Sequence, residues 1–271
     1  MKKIVFAIGL AAAASGWASV NKLAYDTLIA HRGESKDAPE NTLPAYKTAV
    51  DRGFGFECDI YLSSDKRLYT FHDRTLARTT SGANTNACTE VDWATVSKLN
   101  VGGWGKWKGS KFDPTRPALL EEVLALARPG RKIYVEAKGD DPSWVPYIKA
   151  VFAKEPRATP DTVLFISFGR NVSYELKRLM PEFKVYWLTG RIPPVAELLA
   201  ELRALGVDGV DIHFKPEEVT AEYIAAIRSK GFEFHVWTID DPEKAAEAFR
   251  RGAQTVTTNR AKYILETLQK K

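Results

Sequence analysis

The chain has 271 residues, 45% of them hydrophobic and 27% charged, with 18 Gly and 14 Pro, a balance that excludes disorder, collagen and coiled coil. Such a length suits one large α/β barrel or doubly wound domain better than two small domains. The formal charge of +5 comes from basic residues scattered along the chain rather than run together, so no nucleic-acid partner is expected.

The first element is a leader. Lys2 and Lys3 precede the apolar run from Ile4 to Ala14, and Ser15, Gly16, Trp17, Ala18 and Ser19 follow, the pattern of a secretory signal peptide over residues 1–19. The run is too short and too rich in small residues for a membrane span, and no later segment approaches the required length, so no transmembrane segment is expected. The mature protein, residues 20–271, is expected to be exported, either to a periplasm or out of the cell. An oxidising destination would let Cys58 and Cys88 pair, closing a loop of about 30 residues and contributing roughly 3–4 kcal/mol. The other reading, two unrelated buried thiols, stays equally open.

From Leu28 onward short β-like runs alternate with segments of helical period. Strands are predicted at 27–31, 55–60, 132–138, 163–168, 184–188, 209–213, 233–238 and 254–258. Helices are predicted at 42–52, 119–127, 144–153, 172–179, 195–205, 221–230 and 242–250. Eight strands alternating with helices indicate an α/β fold, a (β/α)8 TIM barrel. A further β-like run at 67–71 follows the second strand too closely for a parallel crossover, so residues 57–71 read as a hairpin. The stretch 74–116 is too long for an ordinary loop and is expected to form a small insertion after the second strand, a subdomain or lid.

Active sites of such barrels lie where the strands end. The first strand ends in His31-Arg32-Gly33, the second carries Glu57-Cys58-Asp59, the hairpin arm ends in His72-Asp73, and the next barrel strand ends in Glu136-Ala137-Lys138. The strand period of two puts Glu57 and Asp59 on one face, and Glu136 and Lys138 likewise. Three carboxylates packed together would repel one another, and an oxygen-ligated divalent cation, Ca²⁺ or Mg²⁺, resolves that repulsion. With Glu57, Asp59 and Glu136 as metal ligands, His31 and His72 are candidates for general acid and base, and Arg32 and Lys138 for binding an anion. Two cations beside a divalent ion describe a phosphate site, and hence phosphoester cleavage.

Ile29-Ala30-His31-Arg32-Gly33, Pro39-Glu40-Asn41-Thr42, Glu57-x-Asp59, His72-Asp73-x-x-Leu76-x-Arg78-Thr79-Thr80-x-Gly82 and Glu136-x-Lys138 occur in one order and spacing. In these motifs the chain resembles the glycerophosphodiester phosphodiesterases, from about Leu28 to its end. The resemblance implies hydrolysis of a small glycerophosphodiester to sn-glycerol 3-phosphate and an alcohol, with a divalent cation on Glu57, Asp59 and Glu136. It also implies that His31 and His72 are the acid/base pair, that Arg32 and Lys138 touch phosphate, and that Trp237 lies near the substrate, although Trp237 could equally be core packing. Glu40 and Asn41 are expected in support, orienting His31 and capping the first helix near Thr42. The chain departs from the family pattern at Asp65-Lys66 and in its last strand, which reads Gly252-Ala253-Gln254-Thr255-Val256-Thr257-Thr258-Asn259. Trp104 and Trp107 in the insertion either line a pocket or pack the lid. A phospholipase-D-like or cyclising phosphodiester lyase acting on lipid substrates is the first alternative, and a secreted, non-catalytic binding barrel the second.

Overall fold

The structure is a computed structural model that describes residues 27–270; the leader expected at 1–19 lies outside the described residues. The strands are β1 (Leu28–Ala30), β2 (Gly55–Leu62), β3 (Leu68–Thr70), β4 (Ile133–Ala137), β5 (Val163–Ser167), β6 (Val185–Thr189), β7 (Gly209–His213), β8 (Glu233–Trp237) and β9 (Val256–Thr258). The helices are α1 (Leu43–Asp51), α2 (Trp93–Val96), α3 (Leu120–Leu124), α4 (Val145–Phe152), α5 (Arg170–Leu179), α6 (Val195–Leu205), α7 (Ala221–Arg228), α8 (Pro242–Arg251) and α9 (Ala261–Gln269). Parallel pairing runs β1, β2, β4, β5, β6, β7, β8, β9, and β9 pairs back onto β1, which closes the expected (β/α)8 barrel. Among the described residues no helix is long and apolar enough to cross a membrane.

Alternation along each strand divides the core in two. Ile29, Tyr134, Leu164, Ile166, Tyr186 and Leu188 fill the barrel interior, while a larger cluster lies between the strands and the surrounding helices. In β2 all eight residues are buried, as expected of a parallel strand covered on both faces. Cys58 belongs to the outer layer, whereas Glu57 and Asp59 turn inward. Local chemistry fixes the helix ends: the Thr42 hydroxyl accepts from the Ala45 amide at the start of α1, and Asp241 does the same for Lys244 at the start of α8. Helix α6 stops at Gly206, whose φ of 68° is the left-handed cap that glycine adopts without strain.

The hairpin is present. β3 runs antiparallel to β2 with Ile60 opposite Thr70 and Leu62 opposite Leu68, and it carries His72 and Asp73 back over the barrel mouth. The segment after it holds only the short α2 and a single 3₁₀ turn at Gly105–Trp107. Its buried Leu76, Cys88, Val91, Val96 and Val101 join the core between strands and helices instead of forming a separate one. Cys58 and Cys88 are both free and buried, and the Cys88 thiol donates to the Asp73 carbonyl at 3.1 Å. Two elements differ from the sequence reading. Helix α3 is shorter than 119–127 because its cap falls at Ala125. Helix α9 lies beyond the predicted helices, although Ala261, Ile264, Leu265 and Leu268, its buried residues, follow the i, i+3, i+4, i+7 pattern.

Candidate active site

The C-terminal ends of β1, β2 and β4 and the returning arm of the hairpin bring His31, Arg32, Glu57, His72, Glu136 and Lys138 around one cavity of ≈ 170 Å³. Ile166, Phe168, Leu188 and Trp237 form its apolar wall. One carboxylate oxygen from each of Glu57, Asp59 and Glu136 lies within 4.8 Å of the others. All three acids are buried. Burial, then the charges of Asp59 and Glu136, pushes the Glu57 carboxyl well above the usual range. Glu136 is pushed up to about 7 by burial and by Asp59. Burial also opposes ionisation of Asp59, but Lys138 and Arg32 outweigh it and hold that carboxyl below its usual range. The buried Oε1 of Glu57 has no hydrogen-bond partner. Three converging carboxylates, with Oε1 of Glu57 and Oδ1 of Asp59 making no hydrogen bond, fit a Ca²⁺ or Mg²⁺ ion.

Both histidines are held by the same ring nitrogen. His31 Nδ1 is 2.7 Å from Oδ1 of Asn259, and His72 Nδ1 is 2.9 Å from Oδ1 of Asp73. Each partner is an acceptor, so Nδ1 donates in both rings and Nε2 is the nitrogen left for chemistry. His31 Nε2 lies 3.9 Å from Glu57. Burial, followed by the positive charge of Arg32, lowers the His31 imidazole to about 4, which keeps it neutral near pH 7.

A relay of charged bonds joins the two sides of the mouth. Arg32 Nη1 donates to Glu40 at 2.9 Å, Arg78 donates to both Glu40 oxygens at 2.6 and 3.0 Å, and Arg78 Nε donates to Asp73 at 2.7 Å. Arg32 also lies 3.5 Å from Asp59, and its backbone N–H donates to Glu57 at 2.8 Å. Lys138 Nζ is 2.7 Å from Glu136 and 3.2 Å from Asp59, so its charge offsets part of the repulsion within the acidic trio. Trp237 stands at the end of β8, where its indole N–H donates to the Asp211 carbonyl at 3.1 Å and its ring meets Phe168 edge-on.

The Pro-Glu-Asn-Thr element does other work than the orientation of His31 expected of Glu40 and Asn41. Glu40 binds the two arginines. Asn41 donates to Asp59 at 2.7 Å and accepts from the Tyr46 hydroxyl and the Asp59 amide. Only Thr42 caps α1. The residue that holds His31 is Asn259, just past β9, and its own Nδ2 donates to Asp240. Its place immediately after the last strand was the available signal, because barrel sites collect strand-end residues. The interior also holds Asp211 on β7, a further buried acid of this cavity. Burial, with the charge of Glu136 behind it, pushes the Asp211 carboxyl well above the usual range. Trp104 and Trp107 line a second, open cavity beside Arg32 and Asn259.

Acids, imidazoles and cations gathered at the strand ends of a closed barrel place this chain among the phosphodiesterases built on that fold. Residues 31–262 match the model of the glycerophosphoryl diester phosphodiesterase family, and the chain belongs to that family. It is a glycerophosphodiester phosphodiesterase, a phosphoric diester hydrolase. It is 28% identical over 251 residues to the glycerophosphodiester phosphodiesterase of Caldanaerobacter subterraneus subsp. tengcongensis, covering 90% of this chain and 98% of that one. The enzyme of the same description from Bacillus subtilis is 26% identical over 243 residues, covering 85% of this chain and 82% of the relative. Among solved structures, an Oleispira antarctica phosphodiesterase in complex with the product sn-glycerol-3-phosphate superposes with a TM-score of 0.78. That protein is 26% identical, and the match covers 90% of this chain and 97% of the other. A glycerophosphodiester phosphodiesterase from Parabacteroides distasonis, 22% identical with a TM-score of 0.74 over 90% of this chain and 97% of its own, shares the fold.

Proposed function

We propose that the chain hydrolyses glycerophosphodiesters to sn-glycerol 3-phosphate and an alcohol, using a divalent cation, Ca²⁺ or Mg²⁺, held by Glu57, Asp59 and Glu136. The observation that carries the proposal is the buried, all-oxygen cluster at the strand ends, with Oε1 of Glu57 left without a partner. The product bound in the Oleispira antarctica phosphodiesterase supports the same product here. When bound, the cation would polarise a non-bridging phosphate oxygen as a Lewis acid. His31 acts as general base through Nε2, taking a proton from water or from the substrate's neighbouring glycerol hydroxyl. His72 acts as general acid through Nε2, giving a proton to the departing alcohol. Arg32 and Lys138 stabilise charge that grows on the phosphate, and Trp237 packs against the substrate. Asn259 and Asp73 hold the two imidazoles by Nδ1, which leaves Nε2 of each for proton transfer.

The test is release of sn-glycerol 3-phosphate from glycerophosphocholine and glycerophosphoethanolamine, with and without EDTA, followed by phosphorus NMR. Chelator-sensitive release, restored by Ca²⁺ or Mg²⁺, is expected. Full activity after exhaustive chelation would remove the cation from the mechanism, and a cyclic phosphate as sole product would make the chain a lyase. The leader pattern at 1–19 extends the proposal to an exported enzyme in a periplasm or outside the cell. Fractionation, with N-terminal sequencing of the mature protein, tests that extension.

A further inference from the structure

The proposed chemistry gives Asp211 no task. It sits in the middle of β7 between Val210 and Ile212, both fully buried, and strand alternation turns its side chain into the barrel instead. There it lines the catalytic cavity beside Leu188 and Trp237. It is 1% exposed, and its Oδ1 makes no hydrogen bond. A buried carboxyl with unmet hydrogen-bonding capacity costs stability, and such a group persists where a ligand satisfies it.

Its place in the ring of strands limits what that ligand is. In the barrel order β7 stands opposite β2, the strand that carries Glu57 and Asp59, and Asp211 shares the cavity with Glu57 and Glu136. Asp211 is not part of the acidic trio whose oxygens converge within 4.8 Å, so although the charge of Glu136 reaches it, it is not one of the three ligands of a cation held there. A substrate whose phosphate lies at Arg32 and Lys138 has one segment common to every glycerophosphodiester and one that varies. The varying alcohol has to leave through the mouth. The glycerol is the invariant segment, and its terminal hydroxyl, the one not beside the phosphate-bearing carbon, extends furthest from the phosphate. Its C–H faces suit Leu188 and Trp237.

We infer that Asp211 is a specificity-determining residue that hydrogen-bonds the terminal hydroxyl of the substrate's glycerol, an inference that rests on the hydrolase reading above. A site built around a hydroxyl rejects the analogue that lacks it, because the protein's own polar group is then stranded. The wild-type protein, Asp211→Ala and Asp211→Asn are compared on three substrates. These are glycerophosphoethanolamine, glycerophosphoglycerol and a propane-1,2-diol phosphoethanolamine diester that keeps the inner hydroxyl and lacks the terminal one. The readouts are kcat and KM separately, with melting temperature and Mg²⁺ and Ca²⁺ affinity measured alongside.

The wild-type protein is expected to prefer glycerophosphoethanolamine to the propanediol diester by about 100-fold or more in kcat/KM. Asp211→Ala is expected to lose about 10- to 100-fold on both glycerol diesters alike, so that the preference collapses. Asp211→Asn, which keeps an acceptor oxygen and adds a donor, recovers much of the loss and serves if the alanine variant does not fold. A loss confined to the ethanolamine diester would make the ligand an ammonium group and overturn the inference. An equal loss on the propanediol diester, or a loss of metal affinity, would assign Asp211 to the fold or the metal and overturn it too. Unchanged kinetics in both variants would leave the hydrolase reading standing and sink the inference alone. No turnover of any diester by the wild-type protein would sink both.

Discussion

His31 and Asn259, 228 residues apart in the chain, meet across the barrel closure with Nδ1 and Oδ1 2.7 Å apart. The amide of Asn259 cannot turn over freely, because its Nδ2 donates to Asp240 at 2.9 Å and its backbone N–H donates to the same carboxylate at 2.8 Å. The fixed Oδ1 makes Nδ1 of His31 the protonated nitrogen, and Nε2 keeps its lone pair. His31→Ala is therefore expected to cost about 10²–10⁴-fold in kcat, the range for losing a general base. Asn259→Ala, which leaves the imidazole in place and frees its tautomer, should cost about 10–100-fold. Steady-state kinetics on glycerophosphocholine check both, and an Asn259→Ala enzyme with full kcat would show that the tautomer is fixed some other way.

Arg78 is the link through which the far side of the mouth reaches His72. Its guanidinium spans Glu40 and Asp73 with four hydrogen bonds between 2.6 and 3.0 Å, and Asp73 in turn holds His72. A lysine has the charge but not the planar fork, so Arg78→Lys and Arg78→Ala should both lower kcat, by about 10-fold or more. Two folded variants with wild-type kcat would remove Arg78 from the positioning of His72.

These two relationships mark the boundary of what the sequence makes legible. Glu57, Asp59, Glu136 and Lys138 are readable because a strand period of two places them on one face, and strand ends are where barrel chemistry gathers. The eight barrel strands are readable for a related reason: buried parallel strands are short apolar runs between helices. Asn259 is harder, since its role depends on β9 pairing with β1, a contact that only closure of the ring creates. Asp211 looks in sequence like any polar residue inside a β-branched strand, and its meaning comes from the strand's position opposite β2. Glu40 and Asn41 are conspicuous by their motif, but which neighbours they bind follows from the packing of α1, including Tyr46, against β2.

The glycine that follows His31 and Arg32 has a steric cause. Gly33 has φ of +77°, and a Cβ there would stand 2.5 Å from the Ala45 backbone carbon and 2.7 Å from its Cβ. Its N–H donates to the Glu57 carbonyl at 3.2 Å, so the turn cannot move without disturbing β2. Gly33→Ala is expected to destabilise the protein by more than about 2 kcal/mol, from left-handed strain plus the clash with α1. Urea denaturation measures the change, and a loss under 1 kcal/mol, roughly the cost of left-handed strain alone, would show that α1 yields to the methyl group.

In the middle of β8, His235 ties stability to pH. Its ring stacks on Tyr186 with centroids 4.1 Å apart, and Nδ1 lies 2.7 Å from the Thr255 hydroxyl. Burial depresses its imidazole below the ordinary value of 6.5, and Glu233, 3.5 Å from Nε2, offsets only part of that. Above the unfolded value both states are neutral and this residue adds no pH dependence. As pH falls through about 6.5 the unfolded chain takes up a proton that the folded chain still refuses, so stability declines. His235→Asn keeps a polar atom near Thr255 and removes the titration. At pH 7.5 it should be less stable than wild type through loss of the Tyr186 stacking. Between pH 7.5 and 5 it should lose less stability than wild type does, and the gap between the two should narrow steadily. Denaturation curves at several values in that window decide the matter, since equal slopes for the two proteins would show that the His235 proton is not the source.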